Sequence, residues 1–231
     1  MSKSKLVDFT KISPNSSART AKIDTITIHH MAGNLSVETC AAVFQSTSRK
    51  ASSNYGIGSD GRIGLYVDES RRAWTSSNWQ NDNRAVTIEV ANDGGAPDWH
   101  ISDKALSSLI DLCVDICKRN GIKKLNYTGD TSGNMTMHKW FAATACPGPY
   151  LGGKFPYIAE EVNKRLNAAE NKKEEAEMVV YKTYNDVPDY AKPAIKKLMD
   201  CGALKGDGNG NINVSEDMVR TFVILDRMGK L

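Results

Sequence analysis

The apolar positions along the chain change period several times, and each change marks an element. Ile23 to Ile28 is a short run rich in β-branched residues and reads as a strand. Ser36 then caps a helix in which Val37, Cys40, Ala41 and Phe44 recur at helical spacing. Between Asn54 and Val67 two short apolar runs flank Asp60-Gly61, the signature of a hairpin. Ala85 to Val90, AVTIEV, predicts another strand. From Asp103 to Asn120, Leu106, Leu109, Ile110, Cys113, Ile116 and Cys117 line one side of a helix that ends at Gly121. Pro156 is expected to open a further helix with Ile158, Val162 and Leu166 inward. Strands and helices interleave, so the expected fold class is α/β, a central mixed β-sheet flanked by helices.

After Leu166 the pattern is lost in NAAENKKEEAE, a charged run without aromatic or β-branched residues in which no core can form. It reads as a linker or a solvated helix extension. A second unit follows: a helix from about Asp189 to Asp200 with Ala194, Ile195, Leu198 and Met199 inward, the turn GALKGDGNGN, and a helix capped by Ser215. The expected organisation is a first domain over 1–167, a charged linker over 168–178 and a small, mainly helical domain over 179–231. About 50 residues is marginal for independent stability, which points to a partner surface or self-association for this unit. Met178, between linker and module, would allow an internal start that yields the module alone. A calcium loop beginning at Asp207 is excluded, because Ile212 stands where glycine is required and Met218 where the bidentate glutamate belongs.

Charge and cysteine content narrow the function classes. The 231 residues carry 30 basic and 27 acidic side chains, a net +3 that is too balanced for a nucleic-acid partner. The N-terminal MSKSKLVDFTKI lacks an apolar run of signal-peptide length and no stretch approaches a membrane span, so a soluble chain without a membrane partner is expected. Five irregularly spaced cysteines do not form a disulfide framework, which leaves free thiols.

Of the four histidines, His29, His30 and His138 fall in loops or at element ends, and Cys146 lies eight residues beyond His138. Imidazole and thiolate together suit Zn²⁺, and a catalytic site needs three protein ligands with the fourth position left to water. Strand alternation places His29 on one face with Thr25 and Thr27, and His30 on the other with Ile26 and Ile28. His29 is therefore the better candidate for an open polar side. The same parity puts Glu89 with Thr87, a mid-strand carboxylate that reads either as an edge-strand surface residue or as a functional group. Cys113 and Cys117 read as buried small hydrophobes, and His100, after Trp99, as a turn residue without an evident partner.

The ordered motifs IHHMAG, SSNYGIGSDGRI, AVTIEVAND and HKWFAATACPGPYL resemble the zinc-dependent N-acetylmuramoyl-L-alanine amidases of the type-2 amidase and peptidoglycan-recognition-protein superfamily, over nearly all of residues 20 to 167. Within it they look most like endolysins of phages and prophages of Gram-positive bacteria. The resemblance implies one zinc ion held by His29, His138 and Cys146, with Glu89 as general base. It implies that the amide between N-acetylmuramic acid and L-alanine is cut, with the Thr144 hydroxyl at the developing oxyanion, where some members have a lysine. A tyrosine that some members place before the hairpin is Ser53 here, so its role does not transfer. His30 is expected to pack or hydrogen-bond beside the site, while Tyr55, Trp74 and Trp79 either line a glycan or peptide groove or pack as ordinary aromatics.

The C-terminal YNDVPDYAKPAIKKLMDCGALKGDGNGNINVSEDMVRTF resembles one S-layer homology repeat. That implies a secondary cell-wall polymer as partner beside peptidoglycan, with Arg220 as the candidate contact. An endolysin of this kind is made in the host cytoplasm and reaches the wall after holin-mediated release. Two rival readings are a non-catalytic peptidoglycan-recognition protein and a cytoplasmic wall-recycling amidase. An open metal site with Glu89 opposes the first, and the extra C-terminal unit opposes the second.

Overall fold

The computed structural model describes residues 3–177 and 179–231, with the side chains of 170–177 outside the description. Met178, and with it the internal-start reading, lies outside the described residues. The first unit, residues 1–168, runs β1 (Phe9–Thr10), β2 (Ser16–Ala18), β3 (Thr25–His30), α1 (Val37–Val43), β4 (Tyr55–Ile57), β5 (Ile63–Leu65) and β6 (Arg71–Ala73). It continues with α2 (Trp79–Arg84), β7 (Ala85–Val90), α3 (Asp103–Asn120), β8 (Met135–Met137) and α4, which spans Pro149–Glu177. Six strands form one mixed sheet in the order β1-β5-β4-β7-β3-β8. Only β4 and β5 pair antiparallel within it, as the Asp60-Gly61 hairpin predicts.

Local chemistry accounts for the element ends. Ser36 and Ser102 accept from the N–H groups of Thr39 and Ala105, capping α1 and α3. Gly121 ends α3 at φ 69°, a conformation that suits a residue without Cβ. The helix expected to open at Pro156 instead begins at Pro149, and Pro156 sits inside it. Leu151 and Phe155, both fully buried, anchor the extra turns in the core and offset the hydrogen bond that Pro156 cannot donate. The charged run after Leu166 continues this helix as far as Glu177.

One face of the sheet is apolar. Ile26, Ile28, Val86, Ile88, Tyr55, Ile57 and Met135 meet Leu109, Leu112, Ile116 and Phe155 of α3 and α4, all fully enclosed. Each such aliphatic side chain contributes about 1.5–3 kcal/mol relative to exposure. Tyr55, expected as a groove aromatic, belongs to this core and not to any groove, because its alternation with Gly56 turns it toward α3. Its hydroxyl donates to Glu69 at 2.6 Å, and Glu69, wholly buried, is paired with Arg119 at 2.6 Å. Replacing Arg119 with Met leaves that carboxylate uncompensated and is expected to lower unfolding free energy by about 3–5 kcal/mol, read as a shift of the denaturation midpoint.

The opposite face is shaped by two glycines and a tyrosine. A Cβ on Gly56 would stand 2.6 Å from Tyr66 Cε2, and one on Gly64 2.8 Å from Cε1. The ring cannot retreat, since its hydroxyl donates to the Val37 carbonyl at 2.9 Å and the ring packs with Cys40, Ala41 and Phe44. Gly56→Ala is therefore expected to destabilise the first unit by about 1–3 kcal/mol in urea titration.

The second unit, residues 169–231, contains β9 (Val180–Thr183), α5 (Lys192–Asp200), β10 (Asn211–Ser215) and α6 (Glu216–Arg227). β9 and β10 pair antiparallel, an addition to the helices that periodicity predicts. Val187, Ala191, Ala194, Ile195, Ile212, Val214, Val219 and Val223 form its core. Met199, expected inward, is 38% exposed, because the buried stripe of α5 runs through Ala194, Ile195 and Leu198. Ser215 Oγ accepts from the Met218 N–H and caps α6. No helix among the described residues is long and apolar enough to cross a membrane.

Candidate metal centre

The polar positions of three neighbouring strands converge on one spot. β3 lies between β7 and β8, with Thr27 opposite Thr87 on one side and Thr136 on the other. Thr27 and Thr136 share a hydrogen bond at 2.8 Å, and Asn81 of α2 donates to Thr27 at 2.9 Å. Thr87 bonds Thr75 at 2.9 Å. Two residues beyond each threonine, on the same face, stand His29, Glu89 and His138. The threonines of β3 and β8 are thus bonded to each other one step beneath the histidines, while Thr87, beneath Glu89, bonds away to Thr75 and Asn54.

Cys146 completes the set. After β8 the chain makes a short 3₁₀ turn over His138–Trp140, and the Lys139 N–H donates to the Cys146 carbonyl at 3.0 Å, folding the loop back. One ligand atom from each of His29, His138 and Cys146 lies within 4.8 Å of the others. The two imidazole centroids are 4.6 Å apart. His29 Nε2 and His138 Nε2 are buried and without a hydrogen-bond partner. Buried polar atoms are ordinarily paired, so two orphaned nitrogens facing a thiol point to an ion as the absent partner. Burial, with the neighbouring His138 and His30, lowers the pKa of His29 well below the usual histidine range, and burial lowers that of His138. Both rings are held neutral, the form that binds metal. Burial and the nearby Glu89 push the Cys146 thiol up, while the His30 N–H, donating to Sγ at 3.4 Å, opposes them. A divalent cation would reverse that balance, since coordinated thiols ionise outright. The donor set is compatible with a zinc site of borderline-soft character.

Glu89 stands opposite His29 in register, with Oε1 4.0 Å from Nδ1. β7 is an interior strand between β3 and β4, which removes the edge-strand reading of Glu89. Its side chain is 14% exposed and Oε2 has no partner. Burial raises its pKa to about 8, with the charge of Arg49 pulling the other way. A carboxylate near neutrality beside a metal-type donor set suits proton transfer.

Glu89, His138 and Cys146 line a cleft of about 260 Å³ together with His30, Met31, Leu35, Val43, Phe44, Arg49 and Thr144. Thr144 Oγ1 accepts from the Cys146 N–H at 3.2 Å, which leaves its own proton available for donation. The face expected to be open is polar but closed: Thr25, Thr27 and His29 are at most 2% exposed, whereas His30 is the less buried of the pair. His30 packs its ring edge-on against Trp99 at 5.2 Å. Trp99 in turn lies over Gly148, where a Cβ would come within 2.9 Å of its own. Trp74, half-buried, donates to Ser17 at 3.2 Å, and Trp79 is 54% exposed at the start of α2. Neither tryptophan lines the cleft. Ser53 is fully buried and bonded to the carbonyls of Tyr55 and Thr87, so it has no place at the site. His100, expected without a partner, holds Asp93 at 2.5 Å and packs its ring, tilted by 48°, against Tyr150. All five cysteines are free.

The cleft walls contain residues that pattern alone does not single out. Arg49 falls in the polar stretch STSRK, and Trp99 in a loop without periodicity. Neither position carries a sequence signal that would have marked it.

Comparison with known proteins adds the family. No curated protein sequence matches the chain. Among solved structures, the catalytic domain of PlyG is similar at TM-score 0.55 and 17% identity, over 68% of this chain and 94% of that one. PlyL gives TM-score 0.54 and 16% identity over 66% and 94%. A mutant endolysin from Bacillus subtilis gives TM-score 0.53 and 18% identity over 68% and 99%. At this identity the likeness establishes a shared fold. The family model for N-acetylmuramoyl-L-alanine amidase, Amidase_2, matches residues 19–149. That match takes in β3, β7, β8 and the whole cleft, and the chain belongs to this family of N-acetylmuramoyl-L-alanine amidases.

Proposed function

We propose that this amidase is an endolysin-type peptidoglycan hydrolase with one zinc ion, made in a phage- or prophage-bearing host and acting on a Gram-positive wall. The observation that carries the reading is the approach of His29, His138 and Cys146 within 4.8 Å, with Glu89 in register beside His29. Zinc bound there would supply Lewis acidity and lower the pKa of water to near neutrality. Glu89 takes a proton from the attacking water and returns it to the L-alanine nitrogen as the C–N bond of the lactyl amide breaks. The Thr144 hydroxyl, already oriented by the Cys146 N–H, donates to the carbonyl oxygen as negative charge grows there. A binding protein without catalysis would have no use for a neutralised, orphaned donor set beside a raised carboxylate.

The second unit fits a wall-anchoring role. In the S-layer-like reading Arg220, 67% exposed and held to Glu216 at 2.8 Å, offers a cation to an anionic secondary polymer. Self-association through this unit is the companion reading. Sedimentation of the full chain with purified walls, before and after acid extraction of the secondary polymer, tests the anchor; equal binding to both wall preparations would sink it.

Digestion of purified Gram-positive peptidoglycan tests the reaction. New L-alanine amino termini are expected, and they should disappear with chelator and return with zinc. Release of reducing sugars without new amino termini would overturn the assignment.

A further inference from the structure

The cleft has one guanidinium or ammonium group among its lining residues, Arg49, and that cation lacks a partner. Arg49 closes the 3₁₀ turn Thr47–Arg49 after α1 with its backbone N–H donating to the Ser46 carbonyl at 3.2 Å, is exposed, and its guanidinium makes no hydrogen bond or ion pair with the described residues. Lys50 follows it in the left-handed region at φ 49°, where the chain turns away. Its charge nonetheless reaches the cleft floor, where it acts on Glu89 and Cys40. The wall on the same side is apolar, built from Leu35, Val43 and Phe44. Arg49 differs in this from Arg62, paired with Glu38, and Arg84, paired with Asp24.

The chemistry of the substrate limits what this cation can meet. On the glycan side of the cut bond the lactyl carboxyl is consumed in the amide, and the sugar itself is neutral. On the peptide side L-alanine is followed by a D-glutamyl residue joined through its side-chain carboxyl, which leaves its α-carboxyl free or capped as an amide. The carboxylate closest to the scissile bond is therefore that of the second stem residue. Arg49 lines the same cleft of about 260 Å³ as His138, Cys146 and Glu89, so one short peptide seated there meets both the metal-type donors and the guanidinium.

Building on the amidase reading above, we propose that Arg49 is a specificity-determining residue that binds the free α-carboxylate of the second stem residue and so selects unamidated over amidated stem peptides. A guanidinium facing a carboxylate forms a charge-assisted pair, whereas a carboxamide there offers only a neutral acceptor. Binding in this manner acts on the ground and transition states alike, so its effect falls on KM.

The test compares N-acetylmuramoyl-L-alanyl-γ-D-glutamyl-L-lysinamide with its D-isoglutaminyl counterpart, both with the side-chain carboxyl of the second residue tied up in the peptide bond, as substrates of the full zinc-loaded chain. The unmodified protein is expected to favour the carboxylate by about tenfold or more in kcat/KM. Arg49→Gln should bring the two substrates to within about twofold of each other, the loss appearing in KM, and Arg49→Lys should restore part of the preference. Arg49→Glu should invert it. A preference that survives Arg49→Gln, or an equal fall in kcat for both substrates, would overturn the assignment, the latter showing that Arg49 acts through Glu89. If the unmodified protein cuts neither substrate, the amidase reading fails and this one with it; cutting both with a ratio that Arg49→Gln leaves unmoved overturns Arg49 alone.

Discussion

His29→Ala is expected to strip the metal from the chain and reduce wall hydrolysis to background, while His30→Ala retains the metal. The two residues are adjacent, but β3 turns them to opposite faces, and it is His29 whose ligand atom lies within 4.8 Å of those of His138 and Cys146. Losing it leaves two protein ligands where a catalytic zinc site needs three. His30 contributes to the site through its backbone, whose N–H reaches Cys146 Sγ and is unaffected by truncating the side chain. What His30→Ala removes is the edge-on contact with Trp99, an aromatic pair of about 0.5–1.5 kcal/mol, and with it some rigidity of the cleft wall. Metal content by inductively coupled plasma analysis of the purified variants, with activity in parallel, checks the distinction. Equal zinc loss from both variants would sink it.

The second large effect is expected at Glu89. Glu89→Gln keeps the size and position of the side chain in the middle of an interior strand, and it removes the one carboxylate that lines the cleft among the described residues. Zinc content should therefore stay near that of the parent, and kcat should fall by about 10²–10⁴-fold, the usual contribution of a positioned general acid or base. The parent site holds this carboxylate enclosed with one oxygen unpartnered, so the neutral amide has no desolvation disadvantage. The variant is expected to unfold at the same or a higher denaturant concentration than the parent, which separates lost chemistry from lost folding. A variant that loses zinc along with activity would mean that Glu89 serves the metal and not the proton.

The two predictions differ in how much of them the chain reveals before folding. Separation of His29 from His30 follows from the period-2 alternation of a strand, a property of local backbone geometry. The role of Glu89 cannot be read locally, because AVTIEV is equally compatible with an edge strand and a central one. Its interior position depends on β3 and β4 pairing on either side, contacts between residues some 30 to 60 positions apart. Tyr55 shows the converse error: an aromatic near a motif suggests a sugar platform, yet the hairpin's pairing with β7 turns it into the core and onto the Glu69–Arg119 pair. The start of α4 was likewise hidden, since proline chemistry favours a helix start at Pro156 while the burial of Leu151 and Phe155 carries the helix through it.

What the linear order of residues determined here is the set of local choices: the caps at Ser36, Ser102 and Ser215, the hairpin at Asp60-Gly61, the end of α3 at Gly121, and the ordered motifs that carry the family. These depend on propensity, alternation and hydrogen bonds within a few residues, so a single segment suffices to specify them. The tertiary structure decided which polar groups meet. Thr27, Thr87 and Thr136 align only when three separate strands come into register, and that alignment places His29, Glu89 and His138 above them. The same assembly encloses the imidazoles until they are neutral, raises the Glu89 carboxyl, and sets Arg49 on the rim of a cleft from which it has no local reason to be near. Burial and long-range pairing are properties of the folded ensemble of contacts, and no stretch of sequence contains them alone.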